Sequence, residues 1–113
     1  MTESFSDQLW LSIPDLVREL GVSQSRVRQL IDDKQLLAVR RGGPLQVPAV
    51  FIKDGAPLPE LRGTLIVLGD DGFTDEQAMT WLPEVDPSLG VPPIQALLAG
   101  RKAEVRRVAQ ALA

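Results

Sequence analysis

The chain contains no cysteine and no histidine. Without cysteine there is neither a disulfide nor a thiolate metal site, a usage that fits a cytosolic protein. Without histidine there is no imidazole base and no His-ligated zinc. Tyrosine is absent as well, and the aromatic residues are few: Phe5, Trp10, Phe51, Phe73 and Trp81. The core must therefore be mostly Leu, Val, Ile and Ala. No apolar run approaches the roughly 20 residues needed to cross a bilayer. The opening stretch MTESFSDQLW carries Glu3 and Asp7 and no basic residue, unlike a secretory signal. These absences lead us to expect a cytoplasmic protein with no membrane partner. What remains for catalysis is carboxylate chemistry, and no carboxylate accompanies a recognisable nucleophile or phosphate loop. The chain is therefore expected not to be an enzyme, with no cofactor and no identifiable small-molecule substrate.

What is present is a chain of 113 residues, 44% of them apolar. That suits one domain, or two very small ones sharing a core. The net charge is −3, but the two signs are segregated. From Arg18 to Lys53 there are seven basic and three acidic residues, a net of +4; from Asp54 onward there are five basic and nine acidic, a net of −4. Attraction to an anion follows local potential more than total charge.

The basic half also carries the clearest pattern. Ser12 can cap a helix over IPDLVREL, with Pro14 tolerated in its first turn. Ile13, Leu16, Val17 and Leu20 recur at helical spacing. Gly21 supplies the positive φ that ends a helix. Ser23 can cap a second helix, Gln24–Asp32, with Val27, Leu30 and Ile31 on its buried side and Ser25, Arg28, Gln29 and Asp32 facing out, flanked by Gln24 and Arg26. Leu37–Arg40 and Leu45–Val47 then read as two strands around RGGP, where Gly42 and Gly43 are free to take φ > 0. Pro48 stops the second strand.

Two helices across a tight turn, followed by a basic hairpin, form the pattern of a winged helix-turn-helix. Its chemistry suits double-stranded DNA. Arg28 can donate two bonds to guanine, Gln24 and Gln29 suit adenine, and Ser25 can serve either. Arg40 and Arg41, on a wing spanning Arg40–Leu45 with Gly42 and Gly43 at its turn, can reach phosphate or the minor groove. Ser23, Arg26 and Lys34 complete the expected contact set. Asp32 and Asp33 oppose it, because a carboxylate beside phosphate costs affinity. The plainer alternative is a helical domain whose arginines are only solvated.

The second half is less specific. KDGAPLPE, with Gly55, Pro57 and Pro59, reads as a linker. ELRGTLIVLGDDGF reads two ways: TLIVL suggests a strand, while Leu61, Leu65 and Leu68 suggest a helix closed by Gly72 and Phe73, the reading preferred here. GDDG could hold Mg²⁺, but a helix end uses the same letters, and no metal is expected. Thr74 and Gln77 form a capping box for a helix carrying Trp81, expected as a core anchor. Pro83 and DPSLG make a loop. Pro92 and Pro93 introduce another helix, and Gly100 separates it from RKAEVRRVAQALA. There Val105, Val108, Ala109 and Leu112 form the apolar face and Arg106 and Arg107 lie opposite, as a solvated face or a second DNA contact.

The stretch IPDLVRELGVSQSRVRQLIDDKQLLAVRRGGPLQVPAVFI resembles the N-terminal domain of a family of small actinobacterial winged helix-turn-helix DNA-binding proteins, related in pattern to MerR- and excisionase-type domains. The stretch GFTDEQAMTWLPEVDPSLGVPPIQALLAGRKAEVRRVAQAL is similar to that family's C-terminal domain. It also resembles the toxin-binding domain of some antitoxins. One departure is Asp33-Lys34 where such proteins often place a Gly-Lys turn, and Asp can take the left-handed conformation at modest cost. The resemblance implies a mainly α protein with a small β-hairpin: a winged helix-turn-helix at 1–53, a linker at 54–60 and a helical domain at 61–113. It implies a DNA-binding transcriptional regulator, with a homodimer or a protein partner through the C-terminal half. The alternative is an antitoxin-like module whose second half covers a toxin.

Overall fold

In the computed structural model, which describes residues 9–112, the first element is a strand with no clear signal in the sequence. The opening stretch with Glu3, Phe5 and Asp7 lies outside the described residues. Strand β1 (Trp10–Ser12) runs directly into helix α1 (Ile13–Leu20). Ser12 makes the junction. Its Oγ accepts from the Asp15 N–H at 3.2 Å, and Asp15 Oδ2 accepts from the Ser12 N–H at 3.0 Å. This reciprocal box satisfies two donors that a helix start leaves unpaired. Gly21 ends α1 in the left-handed conformation, φ 66°. Ser23 Oγ accepts from the Arg26 N–H at 3.1 Å and opens helix α2 (Gln24–Asp32). The two helices pack through Ile13 and Leu16 against Val27 and Leu30, all buried.

At the end of α2 the left-handed residue is Lys34, φ 66°, whereas Asp33 stays at φ −81°. This corrects the expectation placed on Asp33. Lys34 N–H bonds to the Ile31 carbonyl and Gln35 N–H to that of Leu30. That pattern is a Schellman motif, whose positive φ falls two residues past the last helical one.

The hairpin is part of a larger sheet. Strand β2 is only Val39–Arg40, shorter than expected, and β3 is Leu45–Pro48. By the register Val39 opposite Gln46, a longer β2 would set Leu37 against Pro48, which has no N–H to give. Leu36, Leu37 and Ala38 turn into the core instead. The strand order is β1-β3-β2, antiparallel throughout, with Trp10 opposite Pro48 and Ser12 opposite Gln46.

After a 3₁₀ turn at Ala49–Phe51, strands β4 (Ile52–Lys53) and β5 (Ala56–Pro57) form a second short hairpin. The stretch read as a linker thus holds its turn, with Asp54 and Gly55 both at positive φ. Leu58 is buried and its N–H bonds to the Phe51 carbonyl at 2.8 Å.

Four helices follow: α3 (Leu61–Asp70), α4 (Asp75–Trp81), α5 (Pro93–Leu98) and α6 (Lys102–Gln110). TLIVL is helical. GDDG is the closing turn of α3, with Phe73 N–H on the Leu68 carbonyl and Gly72 N–H on that of Gly69. The Thr74–Gln77 capping box is present. Val105 and Ala109 bury the inner face of α6, while Leu112 lies past the helix end, 41% exposed, and does not extend that face as expected. Trp81 is half-buried and packs against the core from its edge. One continuous core joins Leu16, Val27, Leu36, Leu37, Val47 and Phe51 of the first half to Leu58, Leu61, Leu68, Leu82, Leu97 and Val105 of the second. The radius of gyration, 13.5 Å, is that of a single body of this length.

Candidate nucleic-acid interface

Burial of Val27 and Leu30 leaves the rest of α2 in solvent: Gln24, Ser25, Arg26, Arg28, Gln29 and Asp32 are all exposed. Arg26 Nη1 donates to Gln29 Oε1 at 2.7 Å, so these two side chains hold each other along the helix. Arg28 makes no hydrogen bond or ion pair with any described residue. Ser23 spends its hydroxyl on the helix cap. A shallow concavity of about 580 Å³ follows this face, bordered by Ser25, Arg26, Arg28, Gln29 and Asp32.

The wing stands beside the start of α2. Arg41 N–H bonds to the Pro44 carbonyl at 3.0 Å, and Gly42 and Gly43 turn the chain at φ 66° and 116°. Arg40 Nη1 donates to the Gly43 carbonyl at 2.8 Å, which ties its guanidinium to the turn. Arg41 lies over the Trp10 ring, 4.2 Å from its centroid. Trp10 belongs to β1, so Arg41 reaches past β3 to a ring on the far strand. Such a contact limits the arginine's freedom while leaving the cation at the surface.

A cleft of about 280 Å³ joins the two elements. Gln24 and Arg28 border it from α2, Arg40 and Pro44 from the wing, and Ser12 and Pro14 from the start of α1. Arg28 therefore borders both the helix face and the wing cleft. None of Arg26, Arg28, Arg40 and Arg41 is in an ion pair among the described residues. The Asp15 carboxyl in the first turn of α1 is held below its ordinary range by the Ser12 N–H, the Ser12 hydroxyl and the Arg18 charge, in that order. It is anionic at neutral pH but committed to the cap and to Arg18.

Lys34 is set apart from the rest of the expected contact set. Its Nζ pairs with Asp75 Oδ1 of α4 at 3.3 Å. Next to it, Arg62 Nε of α3 donates to the Asp33 carbonyl at 3.0 Å. Both contacts come from the second half and hold the end of α2. The Arg106 guanidinium of α6 lies against Gly63, where a Cβ would collide with it, and the residue is otherwise exposed. Among the described residues no cluster of three or more carboxylates could hold a metal ion, and no helix is long and apolar enough to cross a membrane.

Sequence reasoning missed Trp10, the start of α1 as a cleft wall, and Arg62. Ser12 was legible as a cap but not as part of a surface, because its neighbours in the cleft lie far along the chain.

Two helices about Gly21, a three-stranded antiparallel sheet and a turn-bearing β2–β3 wing define a winged helix-turn-helix protein. The chain belongs to the family of the DNA-binding protein Rv2175c. Residues 5–52 match the family described as "DNA-binding protein Rv2175c, wHTH domain" and residues 58–113 the "Rv2175c C-terminal domain of unknown function". DNA-binding protein Rv2175c of Mycobacterium tuberculosis (strain ATCC 25618 / H37Rv) is 36% identical over 120 residues, covering 95% of this chain and 82% of that protein. The NMR structure of Rv2175c is similar with a TM-score of 0.85 at 36% identity, over 96% of this chain and 83% of that one.

Proposed function

We propose that this chain binds double-stranded DNA sequence-specifically as a regulator of transcription, with α2 in the major groove and the wing on the flanking backbone or minor groove. One observation carries the reading: Arg28 of α2 and Arg40 of the wing border a single cleft, with no carboxylate on its walls. A helix that reads base edges and a wing that holds the backbone must act on adjacent surface of one duplex, and a cleft shared by the two supports that reading. Family membership supports the same reading, since the mycobacterial relative is named a DNA-binding protein. The chain acts as a binding protein and not as an enzyme.

Residues 1–53 supply the contacts through Ser23, Gln24, Ser25, Arg26, Arg28, Gln29, Arg40, Arg41, Gly42 and Gly43, with Lys34 at the edge. Residues 54–60 connect them to 61–113, which brace α2. One such helix spans few base pairs, so specificity comes from two copies on adjacent half-sites.

The test is a mobility shift on genomic fragments across salt concentrations. About four neutralised phosphates give a log–log slope near −3.6. No binding at low salt, or binding indifferent to salt, would sink the proposal.

A further inference from the structure

The surface of α4 points to a second partner of opposite charge. Between residues 63 and 100 there is no Lys or Arg, while Asp70, Asp71, Asp75, Glu76, Glu84 and Asp86 all fall there. On this acidic ground lies a groove of about 400 Å³, lined by Phe73, Glu76, Gln77, Thr80, Trp81 and Glu84. These positions follow helical spacing along the outer side of α4, opposite the buried Ala78 and Met79. Both aromatic rings are half-buried, and each keeps part of its surface in water.

The polar groups of the groove are unequally occupied. Gln77 Oε1 accepts from the Thr74 N–H at 2.8 Å, and the Thr80 hydroxyl donates to the Glu76 carbonyl at 3.0 Å. The carboxylates of Glu76 and Glu84 bond to no described residue. What the groove offers is therefore two partly exposed aromatic side chains and two unspent carboxylates. A nucleic acid would meet only like charge there. A guanidinium satisfies both features at once, because its plane stacks on an aromatic ring while its edge donates to a carboxylate. This protein already contains the stacking part of that arrangement in Arg41 over Trp10.

We propose that the Phe73–Trp81 groove is a docking site for an arginine-bearing, partly apolar segment of a partner protein. One arginine stacks on Trp81 between Glu76 and Glu84, and a neighbouring apolar side chain covers Phe73. The groove is made of α4 residues and the turns that flank it, not of α2 or the wing, so the proposal does not depend on DNA binding.

The experiment uses the full chain and a fluorescein-labelled hexapeptide of alternating arginine and leucine, followed by anisotropy. The same peptide with citrulline for arginine keeps the shape and removes the charge. The Trp81 indole N–H resonance, assigned by its loss in Trp81→Phe, reports the site. Binding of the arginine peptide is expected to shift that resonance. The citrulline peptide is expected to bind about tenfold more weakly, and the double variant Glu76→Gln/Glu84→Gln to lose about tenfold in affinity together with most of the salt dependence. Both substitutions are on exposed side chains, and unchanged circular dichroism and mobility shift would show the fold and DNA binding intact. The proposal is overturned by absence of binding at about 1 mM peptide, by equal binding of the citrulline peptide, or by binding that leaves the indole unmoved. It is also overturned if the chain alone self-associates in sedimentation and the double variant abolishes this, because the occupant would then be a second copy.

Discussion

Arg62 stands on the end of α2, its Nε donating to the carbonyl oxygen of Asp33 at 3.0 Å. Asp33 closes the helix proposed to read DNA, and Arg62 belongs to α3, twenty-nine residues away. A helix C-terminus leaves its last carbonyls unpaired and carries partial negative charge, so a guanidinium there is favourable on both counts. The second half thus acts on the orientation of α2 without touching its outward face.

Removing that donor is expected to have a modest, local effect. Arg62→Ala should lower stability by about 1 kcal/mol, because the contact is solvent-exposed. The amides at the end of α2 should exchange faster, and DNA affinity should fall several-fold with base preference unchanged. Urea titration, hydrogen exchange and mobility shift read the three effects. Unchanged exchange at residues 33–36 would show that Arg62 does not brace the helix.

The Lys34–Asp75 pair gives a prediction of opposite sign for its two members. The 3.3 Å bridge joins side chains that are each about half exposed, so either substitution should change stability by less than about 1 kcal/mol. If Lys34 also contacts phosphate, Asp75 competes with the DNA for it. Lys34→Ala should then weaken binding to all sequences, whereas Asp75→Asn should strengthen it. Equal loss in both variants would place Lys34 outside the interface.

Arg28 and Arg41 should separate specificity from affinity. Arg28, without a partner among the described residues, is free to meet a base edge, and Arg28→Ala should cost about 1–3 kcal/mol at one base pair and relax preference there. Arg41→Ala should weaken all sites alike. Trp10→Ala should reproduce part of the Arg41 effect, because the ring at 4.2 Å holds the guanidinium in place. A binding-site selection on each variant decides this, and equal losses at every site for Arg28→Ala would refute the division.

Phe51 and Trp81 should differ in stability although both are large aromatics. Phe51 has no exposed surface, and Phe51→Ala should cost about 3–5 kcal/mol. Trp81 packs against the core but keeps part of its surface in water, and Trp81→Ala should cost less, about 2–3 kcal/mol. Because one core runs through both halves, cutting the chain after Lys53 should abolish cooperative unfolding of the fragment. Chemical denaturation followed by circular dichroism measures all three.

Acid should weaken the protein in a defined window. The Asp15 carboxyl is lowered chiefly by the Ser12 N–H, and that of Glu104 chiefly by its hydrogen bond from Arg101. A carboxylate lowered in the folded state binds protons more weakly there than in the unfolded chain. Its contribution is therefore complete above the ordinary range near about pH 4 and is lost as pH falls through the lower, folded value. Asp15→Asn should be less stable than the parent at neutral pH, and the gap should narrow as pH falls below about 4. A gap that persists in acid would show that the Asp15 charge is not what stabilises the cap.

The sequence by itself determined the punctuation of this protein. The caps at Ser12, Ser23 and Thr74, the stops at Gly21 and Gly72 and the glycine turn of the wing were all legible, because each depends on atoms within a few residues of one another. The outward face of α2 was legible for the same reason, since helical spacing that buries Val27 and Leu30 must expose Arg28. Only the tertiary structure decided that Trp10–Ser12 is a strand, since three residues carry no periodicity and their partners are Gln46–Pro48. It alone set Arg28 and Arg40 on one cleft, seated Arg41 on Trp10, drew Lys34 to Asp75 and left part of Trp81 in water. These relations join residues far apart in the chain, and side-chain type does not encode distance. They are settled when a shared core, with Phe51 and Leu58 inside it, fixes where each helix and strand must lie.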